Sequence, residues 1–177
     1  MLPENWRKRI KILTVSQPWA GAIVGGMPTP LPPTGPKWVE NRTWRARWRG
    51  PLIIHAGKSD TYSRTDEIRE RFPGCETWPT GVALGMVNMV DCVNLRTLFG
   101  KSTEAMSVQE LKIFNHPYAE RTGWGLILDP LSVYRFARPL ECPGKLGIWT
   151  PPEAILDAIE PDVLRWSPDG SIFGAAV

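Results

Sequence analysis

The chain has 177 residues, of which 42% are hydrophobic and 22% charged, and this composition argues against disorder and predicts one globular domain spanning residues 1–177. Its net charge is only +3, but residues 37–58 are basic and the segment after Thr150 is acidic, a pattern that fits an anionic partner on one side. Three widely spaced cysteines and two histidines argue against a zinc site and a disulfide framework, so we expect no metal, no cofactor and a reduced, cytoplasmic setting.

The first part of the chain predicts a strand, a short helix and a loop. Arg9–Val15 is rich in β-branched residues and predicts a strand. Ser16 or Gln17 can cap the helix that follows, and Gly25-Gly26 ends it. Residues 27–36 are rich in proline and predict a loop insertion.

The rest of the chain alternates further predicted strands with short helices. The strands are expected at Lys37–Trp44, Pro51–Ala56, Gly81–Val93, Trp124–Leu128 and Ser132–Leu140. The helices are expected at Thr61–Arg71, Ser107–Phe114 and Pro151–Ile159, with 151–177 forming a C-terminal extension. No apolar run approaches membrane-spanning length, so we expect no membrane partner. This pattern predicts an α+β, mainly β fold, a small mixed β-barrel with flanking short helices.

The segment Gly81–Val93 is apolar on both faces of its predicted strand. Strict alternation places one set of side chains on one face and a second set on the other. The first set is Val82, Leu84, Met86 and Val90, and the second is Ala83, Val87 and Met89. A strand of this kind suits a barrel wall that is packed inside and covered outside.

Four groups of residues carry a resemblance to a known family. They are Ser16-Gln17-Pro18-Trp19-Ala20, Gly25-Gly26, Lys37-x-x-Glu40-x-Arg42-x-Trp44 and Arg49-Gly50-Pro51-Leu52-x-x-His55-Ala56-x-Lys58. With these motifs the chain resembles the ASCH domain, a branch of the PUA-like barrels, over roughly residues 11–151. The family's Gly-x-Lys-x-x-x-x-Arg signature is completed by Gly35, Lys37 and Arg42, directly after the loop insertion.

The resemblance implies a pocket between the first helix and the barrel that meets RNA or a modified nucleobase. Some members of the family are hydrolases, either amidohydrolases that remove an acyl group from cytidine or a ribonuclease. Other members are binding modules that accompany transcription coactivators. Three functions therefore remain open: binding of RNA, single-stranded nucleic acid or a modified nucleoside, hydrolysis of such a ligand, and protein interaction with a vestigial pocket.

Lys37 and Glu40 are the candidate catalytic residues. A desolvated lysine could act as a base or bind phosphate, although Lys37 could equally be a solvated lysine at a strand edge. Glu40 could orient a base amine, activate water or pair with Arg42. Alternation places Lys37 and Glu40 on opposite faces unless the strand begins near them. In the acylcytidine amidohydrolases, the residue three positions after the lysine looks like a threonine. In this chain it is Glu40, and this difference argues against their chemistry here.

The candidate ligand-binding residues lie near the first helix and on the neighbouring strands. They are Ser16, Gln17, Trp19, Arg42, Trp44 and His55. Ser16 and Gln17 could present backbone N–H groups to an anion or simply cap the helix. Trp19 could belong to the core, Trp44 could stack on a base, and His55 could be a structural histidine.

A basic turn follows the Lys37–Trp44 strand. In it, arginines alternate with aromatic and small residues, a pattern that suits contact with a nucleic-acid backbone but also a solvated hairpin tip. The candidate backbone contacts are Arg45, Arg47, Arg49 and Lys58. The oligomeric state is not indicated by the sequence.

Overall fold

A computed structural model describes residues 4–25 and 36–166 of the chain. The strands are β1 (Lys11–Val15), β2 (Val39–Arg42), β3 (Gly50–Ala56), β4 (Val82–Asn94), β5 (Trp124–Leu128), β6 (Tyr134–Glu141) and β7 (Ile148–Trp149). The helices are α1 (Trp19–Val24), α2 (Asp66–Arg71), α3 (Leu95–Phe99), α4 (Val108–Phe114) and α5 (Glu153–Trp166). The predicted α+β fold with short flanking helices is therefore confirmed.

All seven strands belong to one sheet with the order β2-β5-β4-β3-β1-β7, and β6 also pairs with β4. The long strand β4 organises this sheet, because β3 runs along one of its edges while β6 and β5 share the other. β1 and β3 are parallel, and the remaining pairs are antiparallel. Within the described residues the pairing follows this open path, so closure into a barrel stays a prediction.

The alternation predicted for β4 is wrong in detail, because the strand contains two irregularities. The register shifts between Ala83 and Gly85 against both neighbours, and again between Met89 and Asp91 against β5. Each extra residue reverses the faces of the side chains that follow it. Leu84, Val87 and Met89 therefore share one core cluster, whereas Ala83 and Met86 share another.

The sheet is covered on both faces. On the α1 face, residues such as Leu13, Leu52 and Ile54 pack against Ile23 and Val24 of α1. On the α5 face, residues such as Ile12 and Ile53 pack against Ile155, Leu156, Ile159 and Val163. Two smaller clusters lie beside α1 and around α3 and α4. The two faces thus have separate apolar cores that meet only through the strands.

Several element bounds differ from the prediction. The strand expected at Lys37–Trp44 is only four residues long, and β7 and α3 were not predicted. The last helix continues past Ile159, through Pro161, to Trp166. Most of the predicted loop insertion (27–36) and the end of the C-terminal extension (167–177) lie outside the described residues. In the part of the chain that the structure describes, no helix has both the length and the apolarity that a membrane crossing requires.

Candidate functional site

A cavity of about 380 Å³ opens where the end of β1, the start of α1 and β2 meet the segment that precedes β5. Its lining residues are Thr14, Val15, Ser16, Trp19, Lys37, Glu40, Asn41, Arg42, Tyr62, Arg71, Pro117, Tyr118, Ala119 and Glu120. Volumes of this size are typical of small-molecule sites. Five of the predicted site residues therefore surround one cavity, namely Ser16, Trp19, Lys37, Glu40 and Arg42.

A buried charge cluster forms one wall of this cavity. The Lys37 ammonium lies 2.7 Å from Glu40 Oε2, and Arg42 Nη2 lies 3.0 Å from Glu40 Oε1. The side chains of Lys37 and Glu40 are only 4% and 8% exposed. A carboxylate buried this deeply needs paired charges, and here two cations share it, so the cluster carries a net positive charge.

Lys37 reaches Glu40 because the strand starts later than the sequence suggests. β2 begins at Val39, so Lys37 precedes the regular alternation that would have turned it to the opposite face. Its backbone N–H donates to the Ala22 carbonyl of α1, and its ammonium donates to the Val39 carbonyl. The first helix and the start of β2 thus fix the lysine between them.

Arg42 links the charge cluster to β1. Its Nη2 donates to the Thr14 carbonyl at 2.7 Å as well as to Glu40. The Arg42 guanidinium also lies 5.9 Å from the centre of the Trp44 ring. Trp44 itself packs against the core on the α1 face and is not among the residues that line the cavity.

Aromatic side chains form another part of the cavity lining. Trp19, Tyr62 and Tyr118 line the cavity, and Trp19 makes edge-to-face contacts with both tyrosines. Phe72 packs behind Trp19 with a ring separation of 5.5 Å. Trp19 therefore packs in the core and also lines the cavity. A place in the core and a place in the candidate site, the two roles considered from the sequence, are thus compatible.

Asn41 holds the segment 117–120 against β2. Its side-chain amide donates to the Tyr118 carbonyl at 2.6 Å, and its oxygen accepts the Glu120 N–H at 3.0 Å. These two hydrogen bonds fix the backbone of this segment against β2. Asn41 was not among the predicted site residues, although it lies inside the motif between Glu40 and Arg42. Tyr62, Arg71 and Tyr118 were missed because their chain positions are distant from the motif.

His116 supports the same wall from behind. Its Nδ1 accepts the Tyr118 N–H at 3.2 Å, and its ring lies edge-on to Trp38 at 4.3 Å. Burial, and then the nearby Lys37 ammonium, lowers the pKa of His116 to about 4, so the ring is neutral at neutral pH. Backbone N–H groups approach both ring nitrogens, because the Trp38 N–H also lies 3.5 Å from Nε2.

Gln17 and His55 lie away from the cavity lining. Gln17 caps α1, since its oxygen accepts the Gly21 N–H at 3.0 Å while its nitrogen donates to the Pro79 carbonyl at 2.9 Å. His55 is fully buried, its Nε2 lies 2.8 Å from the Cys142 carbonyl, and burial lowers its pKa. Both side chains thus have structural contacts, and ligand binding by either residue stays a prediction.

The arginines of the basic turn after β2 differ in exposure and in ion pairing. Arg45 and Arg47 are exposed, and Arg45 lies 5.5 Å from the Trp124 ring centre. Arg49 instead pairs with Asp91 at 2.9 Å and donates to two nearby carbonyls. Lys58 lies elsewhere, against Gly81 at the start of β4. Arg45 and Arg47 are therefore open to a polynucleotide without breaking an ion pair among the described residues, and Lys58 is likewise exposed but lies apart from the turn.

The solved structures that are similar to this chain include three at 14% sequence identity. The crystal structure of ASCH from Zymomonas mobilis has a TM-score of 0.48 and covers 86% of this chain and 95% of that chain. A tyrosine-to-phenylalanine variant of it has a TM-score of 0.47, with coverage of 86% and 97%. A serine-to-alanine variant has a TM-score of 0.48, with coverage of 88% and 97%. These structures carry the family name that the sequence motifs suggested.

Two further comparisons give no relative. No protein-family model matches the sequence, and no curated protein matches it.

Proposed function

We propose that the protein binds RNA by taking one base, ordinary or modified, into the cavity beside α1. The observation that carries this proposal is that two unlike walls line one cavity of about 380 Å³, one aromatic and one made of the Lys37–Glu40–Arg42 cluster. Proteins recognise unpaired RNA bases by combining aromatic contact with hydrogen bonds to the base edge. The two walls supply these two kinds of contact.

The charge cluster favours a ligand that offers hydrogen-bond acceptors. Both oxygens of Glu40 are already paired with cations, so the carboxylate has little capacity left for a ligand. An ammonium has three donors, and Lys37 uses two of them on Val39 and Glu40. The remaining donor suits a base carbonyl, a ring nitrogen or the oxygen of an acyl group.

The exposed arginines of the basic turn extend the proposal from a single base to a strand. Arg45 and Arg47 lie only a few residues beyond Arg42, which lines the cavity. Contacts of this kind with phosphates make binding salt-dependent but add little sequence preference. We therefore expect RNA affinity to fall steeply as salt rises.

Tyr62→Ala tests the aromatic wall with little cost to the fold, because Tyr62 is 50% exposed. Base stacking contributes about 1–3 kcal/mol, so we expect a loss of about tenfold or more in affinity for a fluorescent single-stranded RNA. Leu131→Ala, at a 94% exposed position that does not line the cavity, is the control and should leave affinity unchanged. Equal affinity of wild type and Tyr62→Ala would contradict the proposal.

The buried Lys37–Glu40 pair supports a second candidate function, hydrolysis of the bound base's acyl group or of RNA. A lysine and a carboxylate in direct contact beside a cavity can move a proton to or from a reacting group. The double change Lys37→Met with Glu40→Gln removes the buried pair together, and Arg42, which loses its carboxylate partner, is 22% exposed and keeps its hydrogen bond to the Thr14 carbonyl. If the protein is a hydrolase, this variant should lose product formation from acylated cytidine or RNA; if it only binds, neither protein should form product.

A further inference from the structure

We propose that Arg71 reads a phosphate next to the bound base, so that the cavity selects nucleotides over free nucleosides. This inference rests on the proposed function, because it concerns the same cavity. It adds a residue from α2, remote from every motif of the sequence, and it narrows the ligand to a phosphorylated class.

Arg71 differs from the other two cations of the cavity in its partners. Lys37 and Arg42 are both paired with Glu40, at 2.7 and 3.0 Å. Arg71 is half-buried and lines the cavity, yet among the described residues its guanidinium makes contacts with aromatic rings and no ion pair. Its positive charge is therefore not neutralised within this part of the chain.

The guanidinium of Arg71 is held in place by stacking. Its Cζ lies 4.4 Å from the centre of the Tyr118 ring and 5.7 Å from that of Phe72. A stacked guanidinium keeps its five N–H donors available in its own plane, and this fork matches the oxygens of a phosphate. The Lys37 ammonium lies 6.0 Å from the same Tyr118 ring, so both cations adjoin one side chain of the cavity.

The remaining acidic groups near Arg71 do not compete strongly for it. Glu120 also lines the cavity, but its carboxylate is exposed to solvent, where water and salt screen its charge. Glu67 and Glu70 share helix α2 with Arg71 and are exposed, and neither is within ion-pair distance of it. Phosphate, which carries a charge between about −1.5 and −2 as a monoester, is a stronger partner for an arginine in this setting.

Calorimetric titration of the full chain tests the inference. The probes are the four common ribonucleosides and their 5′- and 3′-monophosphates. For the base that binds best, we expect one of the two monophosphates to bind wild type at least about tenfold more tightly than the nucleoside, because charge-assisted hydrogen bonds to phosphate are strong. Arg71→Gln should remove this preference, so that nucleoside and monophosphate bind the variant with similar affinity.

Two further variants separate charge from structure. Arg71→Lys keeps the charge without the planar fork and should retain part of the preference. Arg138→Gln removes one exposed charge from β6, which does not line the cavity, and should retain the full preference.

The outcomes of this titration test phosphate binding by Arg71 separately from base binding in the cavity. Equal binding of nucleoside and monophosphate to wild type would overturn the role of Arg71 and leave base binding intact. A preference that survives in Arg71→Gln, or an equal loss of both ligands in that variant, would also overturn it. If wild type binds none of the probes and no RNA, the proposed function fails and the role of Arg71 fails with it.

Discussion

At the scale of single residues, the site depends on which charges have partners. Glu40 pairs with two cations, whereas Arg71 stacks on aromatic rings and makes no ion pair among the described residues. Sequence motifs identified Lys37, Glu40 and Arg42 because these residues lie within six positions of one another. They could not identify Arg71 or Tyr118, whose roles arise only when α2 and the segment before β5 fold against α1.

The neutral state of His116 predicts a pH dependence of stability. Its pKa is lowered to about 4 in the folded chain, so the unfolded chain binds this proton more readily between about pH 6.5 and pH 4. With respect to His116, the free energy of unfolding is therefore highest above about pH 6.5, and it decreases as the pH falls toward about 4. One such proton changes the free energy of unfolding by about 1.4 kcal/mol per pH unit.

Urea unfolding of wild type and His116→Gln over this pH range measures the effect. We expect the free energy of unfolding to fall less steeply with decreasing pH in the variant, and the difference in slope should correspond to roughly one bound proton. His55, whose pKa is also lowered by burial, should leave a residual slope in both proteins. Identical slopes in the two proteins would show that His116 does not titrate in this way.

At the scale of elements, the close packing of α1 positions the aromatic wall. Gly21 of α1 faces Trp78, and a Cβ at this glycine would lie 2.4 Å from the indole ring. Trp78 is buried, 5% exposed, and packs with Phe72 in the cluster beside α1. The small residue thus allows α1 to approach the cluster that supports Trp19.

Gly21→Ala should destabilise the protein by about 1–3 kcal/mol, because overpacking a filled core forces side chains or backbone to move. It should also weaken RNA binding, since Trp19 lies on the same helix. Thermal unfolding and RNA titration measure the two effects. Gly100→Ala is the matched control, because its nearest neighbour would be 3.4 Å from the new Cβ and its backbone is right-handed helical. Equal stability of the two variants would contradict this packing argument.

At this scale, the faces of β4 and the end of α5 could not be predicted from sequence patterns. The strand β4 was predicted almost to its ends, but its faces were not, because the irregularities at Leu84 and Val90 depend on the neighbouring strands. The helix α5 was expected to end at Ile159, yet it continues because Val163 is fully buried and Trp166 donates to the Ser132 carbonyl at 2.7 Å. Tertiary contacts decide such features, and local propensity does not contain them.

The placement of Lys37 follows the same rule. Alternation along an eight-residue strand separates Lys37 from Glu40, and this argument holds only for a regular strand. The observed β2 starts at Val39, and the hydrogen bond from Lys37 to Ala22 replaces a pairing within the sheet. The sequence thus predicted the members of the charge cluster but not the contact between them.

At the scale of the whole molecule, the cavity and helix α5 belong to different parts of the fold. α5 covers one face and is tied to Arg7 by three carboxylates, Glu153, Asp157 and Glu160, at 2.5 to 2.9 Å. The cavity is lined from α1, α2, the ends of β1, β2 and the segment before β5, and by no residue of α5. A ligand in the cavity should therefore leave the α5 face unchanged.

The central claim is that this cavity is the binding site for RNA. Amide chemical shifts of the ¹⁵N-labelled chain, followed during titration with a short single-stranded RNA, test it most directly. If RNA binds in the cavity, we expect saturable shifts concentrated at residues 14–19, 37–42 and 117–120 and at Arg71, with α5 unaffected. Shifts centred on α5, or no saturable shift at the cavity residues, would contradict it.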